Sequence, residues 1–180
     1  MLYVMLAPGF EEIEALTTVD ILRRAGLPVV TLGVGGVNIT GAHDITVLAD
    51  MPAEEAGDDA ELLFLPGGMP GAENLHRCPE TDRLIDAVLR HGGHLAAICA
   101  APMILGWRGL LAGKKATCYP GFEQELTGAL IQKGARVVTD GNITTGLGMG
   151  AATEFALELL RILTDSDCAG RIASSIRCAR

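Results

Sequence analysis

The 180-residue chain is 49% hydrophobic and 20% charged, with 23 glycines and 4% aromatic residues, which excludes disordered, collagen-like and coiled-coil classes. At this length about 70% of the surface of the unfolded chain can be buried, so a single unit spanning 1–180 needs neither disulfide nor metal to hold its core. A formal net charge of -8 repels a phosphate backbone and argues against nucleic acid as a partner.

In chain order, Leu2 to Leu6 is an apolar run of strand formers ended by Pro8-Gly9, and Glu11 to Ala25 has helical composition and stops at Gly26. Pro28 to Val34 predicts a second strand, and Ile39 to Leu48, broken at Gly41-Ala42, a small hairpin. Glu61 to Leu65 predicts a buried strand closed by Pro66-Gly67-Gly68, followed by a helix from about Pro79 to Gly92. His94 to Ile98 predicts a strand running into Cys99, with a helix after it as far as Leu111. Short strands are expected at Thr117 to Tyr119, Arg136 to Thr139 and Ile143 to Thr145, and a helix between Gly121 and Lys133. A last helix is expected near Met149, where Ala152, Phe155, Ala156, Leu159, Leu160 and Leu163 form an apolar stripe. Alternating strands and helices, with strands apolar along their whole length, predict an α/β fold: a doubly wound, mostly parallel sheet covered by helices on both faces.

The longest apolar run, Leu95 to Trp107, contains Pro102 and Gly106 and is shorter than the roughly 20 helical residues that cross a bilayer, so no membrane association is expected. Residues 1–10 carry no basic segment and are followed at once by Glu11, Glu12 and Glu14, unlike a signal peptide, which predicts a cytoplasmic protein. Phosphate-binding motifs fail: the run from Gly109 to Lys114 is one residue short of a P-loop, and Gly146, Gly148 and Gly150 lack the third spacing of a dinucleotide fingerprint. Both read as turn or packing glycines.

The five cysteines, at 78, 99, 118, 168 and 178, form no C-x-x-C pair, which removes zinc-ribbon and thioredoxin readings. Cys99 stands apart because it lies where an apolar strand meets a helix, the carboxyl edge at which open parallel sheets bind ligands. Ala96, Ala97, Ala100 and Ala101 allow the sharp turn of a nucleophile elbow there. Helix-terminal N–H groups are expected to lower the thiol pKa. Cys118, at the end of a short strand, could line the same edge, whereas Cys78, Cys168 and Cys178 read as small buried hydrophobes.

None of His43, His76, His91 and His94 is placed by spacing beside Cys99. A partner could instead come from Glu11, Glu12 and Glu14 at the start of the first helix, on the same sheet edge, although carboxylates there also serve simply as caps. Periodicity leaves the choice open: Glu14 shares a stripe with Thr18 and Ile21, Glu11 with Ala15 and Leu22, Glu12 with Leu16 and Val19. One of them, desolvated beside Cys99, would have a raised pKa and could donate a hydrogen bond to a thiolate.

Together these segments resemble the ThiJ/PfpI superfamily of cysteine-dependent, flavodoxin-like proteins. The resemblance runs through Gly9-Phe10-Glu11-Glu12-Ile13-Glu14, the stretch from Val19 to Gly26, Leu65-Pro66-Gly67-Gly68, Ala96-Ala97-Ile98-Cys99-Ala100-Ala101-Pro102 and Glu154-Phe155-Ala156-Leu157. It implies Cys99 as nucleophile, Glu14 as a buried protonated acid, and the backbone N–H groups of Gly68 and Ala100 as an oxyanion hole, with Gly67 in the pocket. It also implies His43 close to the site, since that residue resembles a His or Arg position of the family. Many members carry a histidine where this chain has Tyr119, in Cys118-Tyr119-Pro120, so Cys-His proteolysis is not expected.

The activity implied is that of the family's cofactor-free glyoxalases and protein or nucleotide deglycases, acting on a small reactive carbonyl such as methylglyoxal or its early glycated adducts, with no metal and no cofactor. Two alternatives share the elbow: an oxidative-stress sensor or chaperone working through oxidation of Cys99, and an amidase or isonitrile hydratase. Family members are commonly homodimers, which implies a second copy as partner.

Overall fold

The computed structural model describes residues 1–178. Among them a seven-stranded sheet runs in the order β10-β11-β7-β6-β1-β2-β5. Its strands are β1 (Leu2–Leu6), β2 (Val29–Gly33), β5 (Met51–Pro52), β6 (Leu62–Leu65), β7 (His94–Ile98), β10 (Val137–Asp140) and β11 (Ile143–Gly146). Every pairing in this sheet is parallel except β10 with β11, and the β3 (Asn38–Thr40) and β4 (Thr46–Leu48) hairpin stands outside it. The expected flavodoxin-like α/β architecture is present.

Both faces of the sheet are buried, which is why its strands read as unbroken apolar runs. In β1, Leu2, Val4 and Leu6 point to one core while Tyr3 and Met5 point to the other. The first core is roofed by α1 (Glu12–Arg24) and α5 (Ala152–Leu163), through Ala15, Val19, Leu22, Phe155, Leu159 and Leu160. The second is roofed by α2 (Gly71–Arg77), α3 (Pro79–Arg90) and α4 (Pro102–Trp107), through Leu75, Leu84, Ile85, Val88, Met103 and Ile104.

Chain order from β1 passes to β2 on one side and later to β6 on the other. The connections after β1 and β6 therefore diverge onto opposite faces and open a crevice at the carboxyl ends of those strands. Gly9 to Glu14 follow β1, Gly67 and Gly68 follow β6, Cys99 follows β7 and Gly148 follows β11, so all converge on that edge.

Local sequence falls short of the structure in five places. The helix expected between Gly121 and Lys133 is a single 3-10 turn, Glu123–Glu125, and a short strand, β9 (Leu130–Ile131), paired with β8 (Lys115–Ala116). Gly121, Gly128 and Gly134 take positive φ, and the turn lies on the bare backbone of Gly106, where a Cβ would sit 2.2 Å from the Glu125 carbonyl oxygen; packing on α4, not helical periodicity, decides the segment. The strand expected over Thr117 to Tyr119 lies two residues earlier, and α4 stops at Trp107 rather than Leu111. Two helices were not anticipated, α2 and α6 (Ser166–Ser175). The second had a readable signal: the Asp165 carboxylate accepts the Cys168 N–H as an N-cap, and Cys168, Ala169, Ile172 and Ile176 pack as one stripe against the α1 and α5 core.

Candidate functional site

Cys99 has φ +64, a left-handed backbone in a residue other than glycine. Such a conformation costs on the order of 1–3 kcal/mol and persists only where its surroundings enforce it. Those surroundings are explicit: the Cys99 N–H donates to the Gly146 carbonyl at 2.9 Å, and its own carbonyl accepts the Tyr119 N–H at 2.9 Å. The small neighbours Ala97, Ala100 and Ala101, all buried, let the chain reverse from β7 into α4 around a half-buried sulfur.

Glu14 faces that sulfur from the first turn of α1. Its residue is 0% exposed. One carboxyl oxygen, Oε2, accepts the Gly67 N–H at 2.9 Å, while the other, Oε1, is buried with no hydrogen-bond partner. Burial pushes the Glu14 carboxyl up to about 7 against the pull of the Gly67 N–H, and the nearby Glu11 charge adds to the rise. The three candidate glutamates thus separate in the fold, although all are buried. Glu11 is the N-cap of α1, its Oε2 accepting the Glu14 N–H at 2.7 Å, and Glu12 turns away to accept both the backbone N–H (2.7 Å) and the ring Nδ1 (2.8 Å) of His43.

Gly67 is where the two side chains meet. A Cβ there would lie 2.5 Å from Cys99 Cβ and 2.8 Å from Glu14 Oε2, distances at which something must move. Gly67→Ala is expected to lose about 1–3 kcal/mol of stability through overpacking and on the order of 100-fold in turnover through displacement of the Cys99–Glu14 pair. Urea unfolding together with kcat measures both, and a variant matching the wild type in each would show that the cradle has slack. Gly68, at φ +88, leads the backbone back past Gly9 and Glu11, where a Cβ would be 2.5 Å from the Glu11 nitrogen.

Burial and the adjacent Glu14 carboxylate push the Cys99 thiol up to about 12, against the pull of the Gly68 and Ala100 N–H groups. This corrects the expectation of a thiol lowered by a helix terminus: α4 begins only at Pro102 and is six residues long, so desolvation and the buried carboxylate outweigh its dipole. The two N–H groups nonetheless converge on the sulfur, where they could stabilise developing negative charge.

His43 lies on the loop between β3 and β4, exposed, with its ring held by Glu12 rather than turned to Cys99; that partner raises its pKa. Among the described residues, Glu11, Glu12 and His43 are the one group of carboxylate and imidazole ligand atoms lying within 4.8 Å of one another. Both Glu12 oxygens and one Glu11 oxygen are already spent on hydrogen bonds within the fold, so the group reads as a helix cap. Cys118 is buried in the α4 core, and the Cys78 thiol donates to Glu80 at 2.9 Å.

The wall that sequence reasoning passed over is the run from Gly146 to Gly150. Gly148 has φ +154 and ψ -170, and a Cβ on it would be 3.2 Å from Tyr119 Cδ2 and 3.8 Å from Glu14 Oε1. Gly148 thereby brings this loop close to the carboxyl.

The model of the DJ-1/PfpI family matches residues 1–162. The chain belongs to the DJ-1/PfpI family. It is 35% identical over 176 residues to protein dj-1beta of Drosophila melanogaster, covering 96% of this chain and 94% of that one. The crystal structure of Drosophila DJ-1beta superposes with a TM-score of 0.91 over 99% of this chain and 98% of the other, at 33% identity. Protein DJ-1 homolog B of Arabidopsis thaliana is also 35% identical over 96% of this chain, which spans 40% of that longer relative. A Caenorhabditis elegans relative, glutathione-independent glyoxalase DJR-1.2, is 31% identical over 163 residues, 89% of this chain and 87% of that protein.

Proposed function

We propose that this member of the DJ-1/PfpI family converts small α-oxoaldehydes, methylglyoxal or its early adducts, into hydroxy acids without glutathione, metal or cofactor. The observation that carries this reading is the pairing of Cys99, at φ +64, with Glu14, whose Oε1 is buried without a partner. The likeness to a relative named as a glutathione-independent glyoxalase supports it.

As the Cys99 sulfur forms a bond to the aldehyde carbon, its proton passes to Glu14, which neutralises the buried carboxylate and removes the charge that holds the thiol up. The carbonyl oxygen, now bearing the electron pair of the broken π bond, is held by the Gly68 and Ala100 N–H groups, donors of a kind worth about 3–4 kcal/mol each in a developing oxyanion. Glu14 returns that proton to the oxyanion, giving the neutral hemithioacetal, and its freed carboxylate takes the proton from the former aldehyde carbon to form an enediolate. The same proton is delivered to the neighbouring carbon while the hydroxyl proton passes from the first oxygen to the second, leaving a thioester. Water cleaves the thioester, returning the Cys99 thiol and releasing R–CHOH–COOH, so the net change is addition of one water. Tyr119 offers no imidazole, and the scheme needs none, because Glu14 is the acid and base.

The Glu14–Cys99 pair titrates as a unit. Below about 7 it holds two protons and no nucleophile can form; above, one proton is shared and can sit on Glu14. Lactate formation from methylglyoxal, in buffer free of glutathione and treated with chelator, is expected to saturate and to have a kcat/KM that rises through an apparent pKa near 7. Wild-type protein forming no lactate above background would overturn the reading.

Oxidation sensing through Cys99 has less support, since a raised thiol pKa lowers the thiolate fraction that peroxide attacks. No helix among the described residues is long and apolar enough to cross a membrane. A homodimer is the partner part of this reading, supported by Ile13 and Leu16 exposed side by side on α1. Sedimentation at micromolar concentration as one copy would remove it.

A further inference from the structure

Beside the Cys99–Glu14 pair lies a cavity of about 290 Å³ lined by Tyr119, Pro120, Leu147, Gly148, Met149 and Arg136, among others. It adjoins the reacting groups: Tyr119 is tied by its N–H to the Cys99 carbonyl, and bare Gly148 separates its ring from the partnerless Glu14 Oε1. The walls are the Tyr119 ring and the side chains of Leu147 and Met149, with Tyr119 and Met149 each about half exposed and thus open to an entering group. The cation at the rim is already satisfied, because Arg136 Nε donates to Glu154 at 2.6 Å and its Nη2 to the Gly150 carbonyl.

Resting on the carbonyl chemistry above, we propose that this cavity is the subsite for the substituent on the ketone carbon, with Tyr119 and Leu147 as specificity-determining residues, and that it selects α-oxoaldehydes bearing an aryl or branched alkyl group over those bearing methyl. With the aldehyde carbon at Cys99 Sγ and the ketone carbon within reach of Glu14 Oε1, the third substituent points past Gly148 toward Tyr119. A methyl group leaves most of the space to water, whereas a phenyl ring fills it and lies against an aromatic wall. At about fourfold per methylene removed from water, five further carbons predict a preference of at least about tenfold even when incompletely buried. The volume lies at the lower end of ligand sites, roughly 300–1,000 Å³, so it holds one ring and not a nucleotide.

The test compares kcat/KM for phenylglyoxal and methylglyoxal, and, independently of turnover, calorimetric affinities for mandelate and lactate, the corresponding hydroxy acids. The wild type is expected to favour the aryl member of each pair by about tenfold or more. Tyr119→Phe should keep the preference, Tyr119→Ala should bring it near one, and Leu147→Trp, which fills the cavity from a half-exposed position, should reverse it. Methylglyoxal turned over as well as phenylglyoxal, with mandelate no tighter than lactate, would overturn the subsite and leave the reaction standing. Mandelate bound at least tenfold tighter by a protein that turns over neither aldehyde would establish the subsite and remove the reaction.

Discussion

Replacing Glu14 with Gln is expected to stabilise the fold above pH 7 and to abolish turnover. In the folded protein the carboxyl is raised from 4.5 to about 7 by burial, so as pH climbs between those values the unfolded chain releases its proton first and the native state loses stability. With the folded value above the unfolded one, the stability is fully present below about 4.5 and lost through about 7. A shift of this size corresponds to about 3 kcal/mol. The amide carries no such cost: its oxygen can take the Gly67 N–H that Oε2 now accepts, and its NH2 can face the sulfur from the position of the orphaned Oε1. Denaturation at pH 5 and pH 8 should show the two proteins close together at the lower pH and the variant ahead by up to about 3 kcal/mol at the higher. The same variant cannot accept the thiol proton or relay it between carbons, so a loss of kcat of at least about 10³ is expected. A variant less stable at pH 8, or one turning over normally, would remove Glu14 from the role given to it.

Cys99→Ala should lose at least about 10³ in kcat for lactate formation while changing stability by no more than about 1 kcal/mol. In the proposed reaction the nucleophile is this sulfur, and three of the other four cysteines are committed elsewhere: Cys118 is enclosed in the opposite core, Cys78 is engaged with Glu80, and Cys168 packs on the α1 face. Alanine retains the left-handed backbone and its strain, so the native state gains no relief and loses only one half-buried sulfur. Mass mapping of iodoacetamide adducts identifies the competent thiol directly. Residual turnover of about a tenth of wild type would place the attacking group elsewhere. Without the thiol, Glu14 loses the neighbouring sulfhydryl that holds its carboxyl down, and its pKa should rise further.

Much of this was legible along the chain. The strands β1, β6 and β7 are short apolar runs bounded by proline and glycine, and their doubly buried character follows from the absence of alternation. The turn at Cys99 was legible because the apolar strand Leu95 to Ile98 runs into it and the alanines on both sides allow a sharp reversal there. Less legible was the division of labour among Glu11, Glu12 and Glu14. Helical periodicity allows each to face inward, and all three do, but only contacts with residues remote in sequence separate cap, loop anchor and acid.

The chain by itself therefore determined the layer order and the sheet edge on which Cys99 stands, because these rest on local hydrophobic pattern and turn chemistry. Tertiary structure decided the rest. The direction of the Cys99 and Glu14 titrations depends on how completely two side chains 85 positions apart are desolvated together, which no local pattern encodes. The collapse of the expected helix after Gly121 depends on a bare backbone at Gly106. The glycines at 146, 148 and 150 look like ordinary turn residues until the fold sets one of them between Tyr119 and Glu14, where the missing Cβ lets the loop approach the carboxyl.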